Sequence, residues 1–147
     1  MAISKIVQDS LNGGVVGNGP AFSAYASSNQ SISSGVFTKV QIDTEVFDTN
    51  NNFASYRFTP TVAGYYQING AVQFASAGVN NLASIYKNGS EIYRGTQGSI
   101  FQNIATGLVS MNGSTDYLEL YCYVTGGGTV AGGSSSTFFN GVLVRAA

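Results

Sequence analysis

The stretch Phe58-Thr59-Pro60-Thr61-Val62-Ala63-Gly64-Tyr65-Tyr66-Gln67-Ile68-Asn69-Gly70-Ala71-Val72-Gln73-Phe74 decides how the rest of the chain is read. Pro60 has no N–H to give to a ladder, so strand pairing stops there. Gly64 tolerates a positive φ, and together the two predict a tight turn. Beyond the turn the residues alternate. Tyr66, Ile68, Val72 and Phe74 fall on one face with Gly70 between them, and Tyr65, Gln67, Asn69, Ala71 and Gln73 fall on the other. Period-2 alternation with aromatic and β-branched residues predicts one long strand with one buried face. The second face is polar but uncharged, an unusual surface for a solitary domain.

Composition extends this reading. The chain of 147 residues suits one domain whose core needs no disulfide. Charged residues are only 9% of it, against about 25% in ordinary globular proteins, while Gly is 19 of 147. Low charge with many Gly, Ser, Thr and Asn fits an all-β protein with short turns. It also fits a surface covered by copies of itself; a loop-rich secreted monomer is the plainer alternative. The net charge is −1, and six Lys and Arg are scattered from Lys5 to Arg145, so no nucleic-acid partner is expected. No apolar run approaches the roughly 20 residues of a spanning helix, so no membrane insertion is expected. Residues 1–9 lack the continuous apolar core of a secretory signal. The expectation is synthesis in a cytoplasm and, for action outside, release by a route such as cell lysis.

In chain order, residues 1–20 form a leader. Ile3, Ile6, Val7 and Leu11 have weak helical spacing and precede a Gly-rich stretch ending at Pro20. These apolar residues favour an anchoring arm over a frayed tail, with the domain occupying 21–147. Strands are expected at 21–26 (Phe22 and Ala24 inward), 36–43 (Val36, Val40 and Ile42 against Phe37, Lys39, Gln41 and Asp43), 53–58, 82–86, 91–93, 100–111, 117–124 and 138–144. Asn88-Gly89 between two such runs predicts a hairpin. Residues 125–136, nearly all Gly, Ser, Thr and Ala, read as a mobile loop. Eight to ten strands without a helix indicate a β-sandwich or jelly roll.

Chemistry is sparse. There is no histidine, which removes His-based triads and His metal sites. Asp43, Glu45 and Asp48 have the numbers for a glycosidase pair or a calcium site, but a solvated strand end explains them more simply. Asp116 and Glu119 are read the same way. Cys122 is alone, so no intrachain disulfide and no Cys metal site is available; it reads as a small buried hydrophobe beside Leu118, Leu120 and Val124. The glycines at 126–128 and 132–133 lack the Gly-Lys-[Ser/Thr] and helix of a phosphate loop. No catalytic residue, metal or cofactor is expected. Tyr117, Tyr121 and Tyr123 share the second face of their strand, either as subunit packing or as a surface for a sugar or protein.

The ordered motifs resemble a known family. Ala21-Phe22-Ser23-Ala24, Phe37-Thr38-Lys39-Val40 and Phe47-Asp48 resemble the first half of a C1q/TNF-like domain. Phe58-Thr59-Pro60 with Ala63-Gly64-Tyr65-Tyr66 resembles its F-x-x-P-x-x-G-x-Y-x-F core. Ile85-Tyr86-Lys87-Asn88-Gly89, Gly107-Leu108-Val109 through Asp116-Tyr117-Leu118-Glu119-Leu120, and Thr137-Phe138-Phe139-Asn140-Gly141-Val142-Leu143 resemble its later strands. The match covers about 21–144. It departs from the family at Ser114-Thr115-Asp116, where Gly-Asp is usual, and in a last loop without the acidic residues that can bind calcium.

The resemblance implies a ten-stranded jelly roll assembled as a homotrimer. Tyr65, Gln67, Asn69 and Gln73 would face neighbouring subunits there, where charges near a three-fold axis would repel their own copies. The Ser/Asn/Gly-rich texture and Val62-Ala63-Gly64-Tyr65-Tyr66 resemble the bacterial and bacteriophage branch. The implied function is a non-enzymatic virion component, a capsid decoration, head fibre or spike, attached through residues 1–20 to other virion proteins. Host-surface binding is an implied second role. A tail-fibre tip or adhesin that binds a glycan or protein receptor is the alternative.

Overall fold

The computed structural model describes residues 19–76, 78–99 and 101–147. Thirteen strands and no helix are found among them: β1 Ala21–Tyr25, β2 Gln30–Ile32, β3 Thr38–Lys39, β4 Thr44–Asp48, β5 Phe53–Ala54, β6 Arg57–Phe58, β7 Ala63–Ser76, β8 Asn81–Lys87, β9 Ser90–Arg94, β10 Gln102–Asn112, β11 Leu118–Val124, β12 Gly128–Val130 and β13 Phe138–Ala146. The fold is an antiparallel jelly-roll sandwich. One sheet runs β2-β12-β7-β13-β1-β4, with β10 on the other side of β7; the second runs β5-β6-β11-β8-β9, with β3 also on β11. The count exceeds ten because β2, β3, β5, β6 and β12 are two- or three-residue ladders that resemble loops in sequence.

The opening stretch behaves as its alternation requires. β7 runs for fourteen residues. It bonds β10 in unbroken register from Ala63↔Asn112 to Gln73↔Gln102, and β13 on its other side. Tyr66, Ile68, Val72 and Phe74 are fully buried. Gly70 belongs to the same row because a Cβ there would lie 2.4 Å from Leu120 Cδ1, a side chain of the opposite sheet. Gly64 is not the turn residue the sequence suggests. It lies inside β7, outside the positive-φ glycines, and a Cβ on it would sit 2.4 Å from the carbonyl oxygen of Arg145. The glycine is needed for the close approach of β13.

Aromatic rings join the two sheets at one end. Phe22 stacks on Phe58 at 4.2 Å and on Phe53 at 5.1 Å, with Phe139 edge-on at 5.1 Å. Offset and edge-on pairs of this kind contribute beyond their buried area. Tyr93 lies over Gly107 and gives its hydroxyl to the Leu108 carbonyl, tying the edge strand β9 across to β10. Asn88 and Gly89 both take positive φ, as a two-residue β8–β9 hairpin demands.

Two loop expectations change. Residues 125–136 contain β12, which pairs with β2 and with the end of β7, and Gly132 N–H bonds Asn29 Oδ1. Backbone hydrogen bonds, invisible in a Gly/Ser composition, organise that segment. Val36, which the alternation puts on the face of Val40 and Ile42, is 53% exposed while those two are buried. Gly35 at φ 76° turns the chain just before β3, so the alternation begins only at Val40. Both ends of the described chain meet at one end of the sandwich: Leu143 N–H bonds the Pro20 carbonyl, and Ala147 N–H bonds the Ala63 carbonyl. The expected anchor residues Ile3, Ile6, Val7 and Leu11 lie outside the described residues.

Candidate functional site

The two outward sheet faces differ sharply in chemistry. In the first sheet β1, β7, β10 and β13 carry one charged residue, Arg145 near the end of β13, and the edge strand β4 adds Glu45 and Asp48. By contrast β3, β6, β8, β9 and β11 carry Lys39, Arg57, Lys87, Glu91, Arg94 and Glu119.

The uncharged face is built in rows set by strand register. Thr106, Asn69, Asn140 and Ser23 lie side by side across β10, β7, β13 and β1. Their side chains bond one another. Gln67 Nε2 donates to Thr106 Oγ1 at 2.9 Å, Thr106 Oγ1 donates to Asn69 Oδ1 at 2.6 Å, and Asn69 Nδ2 donates to Asn140 Oδ1 at 3.1 Å. An apolar row flanks this polar row on each side. One contains Leu108 and Val142 around Gln67, the other Ile104 and Phe138 around Ala71. Leu108, Ile104, Val142, Tyr65 and, on β4, Val46 and Phe47 are all exposed. An open cleft of about 180 Å³ lies between Ser23, Tyr25, Val46, Phe138 and Asn140.

The structure therefore brings Tyr65, Gln67 and Asn69 onto one face as expected. Tyr65 is 46% exposed; Gln67 and Asn69 are half-buried among their bonded neighbours. Gln73 shares the row of Gln102 at the far end of β7, where its backbone bonds Thr137 Oγ1 and Ala131 N–H. The sequence reading missed Thr106, Asn140, Ile104 and Leu108 because they come from other strands, and only register shows that they adjoin β7.

The second face is aromatic and ionic. Glu119, read from the sequence as solvated, is 3% exposed. Its Oε1 accepts from Arg57 Nε at 2.9 Å, Arg57 Nη2 at 2.8 Å and Lys39 Nζ at 3.1 Å. Position on β11 alone could not reveal these partners, which are 62 and 80 residues distant in sequence. The Arg57 guanidinium lies 3.7 Å above the Tyr117 ring, and Lys39 Nζ lies 5.8 Å from the Tyr56 ring. Tyr121 stacks on Tyr86 at 4.1 Å, and Tyr123 packs on Phe37 at 5.0 Å. Tyr117, Tyr121 and Tyr123 thus share a face, each with a different partner. Burial first, then the nearby carboxylates, push the Tyr121 and Tyr86 phenols up. At the far edge Arg94 grips Glu91 with two bonds and holds its carboxyl below the usual range against the opposing effect of burial; Ser84 Oγ also donates to it at 2.6 Å.

Asp43 accepts from the Ser27 backbone and hydroxyl, and Asp116 joins Lys87, Asn88 and the Asn112 backbone; both are bonded within loops. Among the described residues no three His, Cys, Asp or Glu side chains are grouped to hold a metal.

No family model and no curated protein sequence matches the chain. The fold recurs among solved structures. Murine APRIL at pH 8.0 aligns with TM-score 0.70 at 12% identity, over 84% of this chain and 98% of that one. Eiger TNF from S. frugiperda aligns with TM-score 0.63 at 9% identity, over 88% and 95%. Rabbit GITRL aligns with TM-score 0.57 at 12% identity, over 87% and 96%. The chain is therefore a TNF-like jelly roll in fold. At these identities the likeness carries the architecture and nothing of ligand or partner.

Proposed function

We propose that the protein is a non-enzymatic structural component of a bacteriophage virion, a homotrimer that decorates the capsid or forms a head fibre or spike. Residues 1–20 attach it to other virion proteins. The observation that carries the assembly is the partition of charge between the two sheet faces. The uncharged centre of the first sheet, across β10, β7, β13 and β1 with its apolar rows, suits burial against copies of itself, while the ion-paired face suits water. The polar row adds to this. Its amides and hydroxyls already bond one another, so covering them leaves few polar groups unsatisfied. A closed three-fold ring needs one patch to meet a different one, and the open cleft beside Tyr25 and Phe138 offers a receiving surface. The virion role rests on the resemblance of the sequence to the phage branch and on the apolar leader.

Two measurements test it. Sedimentation should give about three times the 15.3 kDa chain mass; a monomer at micromolar concentration overturns the assembly. A chain lacking residues 1–18 should still trimerise but no longer join particles, and unchanged incorporation removes the anchor. The second reading, an adhesin whose main role is receptor binding, is favoured by the stacked tyrosines and cations of the second sheet. An adhesin should block infection when added as free protein, and Tyr121→Ala should abolish that block.

A further inference from the structure

We infer that the outward face of the second sheet binds an acidic saccharide: Arg57 and Lys39 take a sugar carboxylate, and the Tyr121–Tyr86 pair takes an adjoining ring. This rests on the reading that the charged face stays open in the assembly.

Charge comes first. Lys39 and Arg57 share one oxygen of one buried carboxylate, so the cluster keeps an excess of one positive charge in a chain of net charge −1. The Arg57 side chain is 39% exposed and that of Lys39 31%. Arg57 uses Nε and Nη2 on Glu119, and its Nη1 has no hydrogen-bond partner among the described residues. Glu119 on one edge and the Tyr117 ring beneath fix the guanidinium plane. A fork held in this way is preorganised for a second carboxylate.

Register supplies the next element. Lys39 lies opposite Tyr121 across β3 and β11, and Tyr121 opposite Ser84 across β11 and β8. The half-buried Tyr121–Tyr86 stack therefore adjoins the cations, at the spacing of neighbouring strands, about 5 Å. Aromatic surfaces with polar tips suit the mixed faces of sugar rings. Arg94, paired with Ser84 in register, places a further guanidinium on the far side. The distance from Lys39 to Arg94 is three strand intervals, roughly 14 Å.

Backbone strain marks the same place. Ser55 and Tyr56, the two tip residues of the β5–β6 hairpin, have φ 53° and 63°. Turns of this kind favour Asn and Gly, and an aromatic residue there is an outlier. Tyr56 lies outside the core, yet its ring faces Lys39. Strain at a surface tip beside a cation cluster fits a recognition element better than a packing need. One excess charge is too little for a nucleic-acid backbone, which demands many phosphate contacts.

Titration of the full chain with trigalacturonate, maltotriose and triglutamate tests the assignment, followed by NMR shifts of the tyrosine rings. Trigalacturonate should bind, and its affinity should fall with salt. Maltotriose should bind at least about tenfold more weakly, and Arg57→Gln should cost about tenfold or more. Tyr86→Leu, which leaves the ion pairs intact, should also weaken binding, with thermal unfolding confirming that both variants fold. Absence of trigalacturonate binding overturns the proposal, as does binding indifferent to both substitutions. Equal binding of triglutamate assigns the surface to acidic peptides and also overturns it. Sedimentation of the same samples separates the two readings. A trimer that ignores trigalacturonate removes only the saccharide, whereas a monomer that binds it removes only the assembly.

Discussion

Asn69 on β7 and Asn140 on β13 are joined by an amide-to-amide hydrogen bond of 3.1 Å, in the middle of a sheet face whose β1, β7, β10 and β13 carry no charge but Arg145. That central position makes Asn69 a reporter of whether the face is buried between subunits. Asn69→Asp keeps the size and adds a carboxylate. Copies brought together around a symmetry axis would repel while ionised, so the variant should sediment as a monomer at neutral pH. It should reassociate as pH falls through the carboxylate range, about 4. Wild-type association should not change over that step. An Asn69→Asp protein that remains trimeric at neutral pH would place the interface elsewhere.

Glu119 is the buried counter-ion of two half-exposed cations. Glu119→Gln leaves Lys39 and Arg57 without a carboxylate but still in reach of water. The expected cost is therefore about 1–2 kcal/mol, below that of breaking a fully buried pair. Urea unfolding of wild type and variant measures it. A change indistinguishable from zero would mean that the ion pairs add nothing measurable to stability.

Much of the sandwich is legible from the chain. Tyr66 to Phe74 announces its buried row by alternation alone, and Asn88-Gly89 announces its hairpin. What stays hidden is whatever depends on pairing between distant segments. Glu119 looks like any polar residue on a half-buried strand until Lys39 and Arg57 arrive from elsewhere in the sequence. The Gly-rich stretch after Thr125 looks slack because hydrogen bonds made by its backbone leave no mark on side-chain composition. Gly64 was legible as special but for the wrong reason, since a close approach and a turn ask for the same residue. On the assembly face, Tyr65, Gln67 and Asn69 could be read along one strand. Thr106 and Asn140 could not, because register across strands is a property of the fold.

Cys122 is fully buried, with Sγ 3.6 Å from the Thr38 carbonyl, and burial pushes its thiol up to about 12. Thiolate is the reactive form. The native protein should therefore resist thiol-directed alkylation at pH 8, and the rate should rise to that of a free cysteine only as denaturant unfolds the chain. Rapid labelling of the folded protein would show that β11 opens locally from the sheet.

Asp116 and Glu91 give the fold an acid limit. The Lys87 bond, then that of Asn88, holds Asp116 below its ordinary range, and the Arg94 bond does the same for Glu91, with burial opposing in each case. A carboxyl whose folded pKa is depressed contributes stability above its unfolded value, about 4, and loses it as pH falls through the folded value. Stability should therefore decline below about pH 4. Asp116→Asn should be less stable at neutral pH and show a shallower decline, measured by thermal unfolding from pH 7 to 2. Parallel curves for the two proteins would assign the acid limit to other groups.

The meeting of Pro20 with Leu143 and of Ala147 with Ala63 gives the molecule a polarity that neither sheet has by itself. Both ends of the described chain lie at that one pole. The turn after β7, where Val79 N–H bonds the Thr125 carbonyl, lies a full strand away, about 45 Å for fourteen residues. A peptide grafted after Ala147 would leave from the pole where Pro20 meets Leu143, whereas the same peptide grafted between Gly78 and Asn80 would leave from the opposite one.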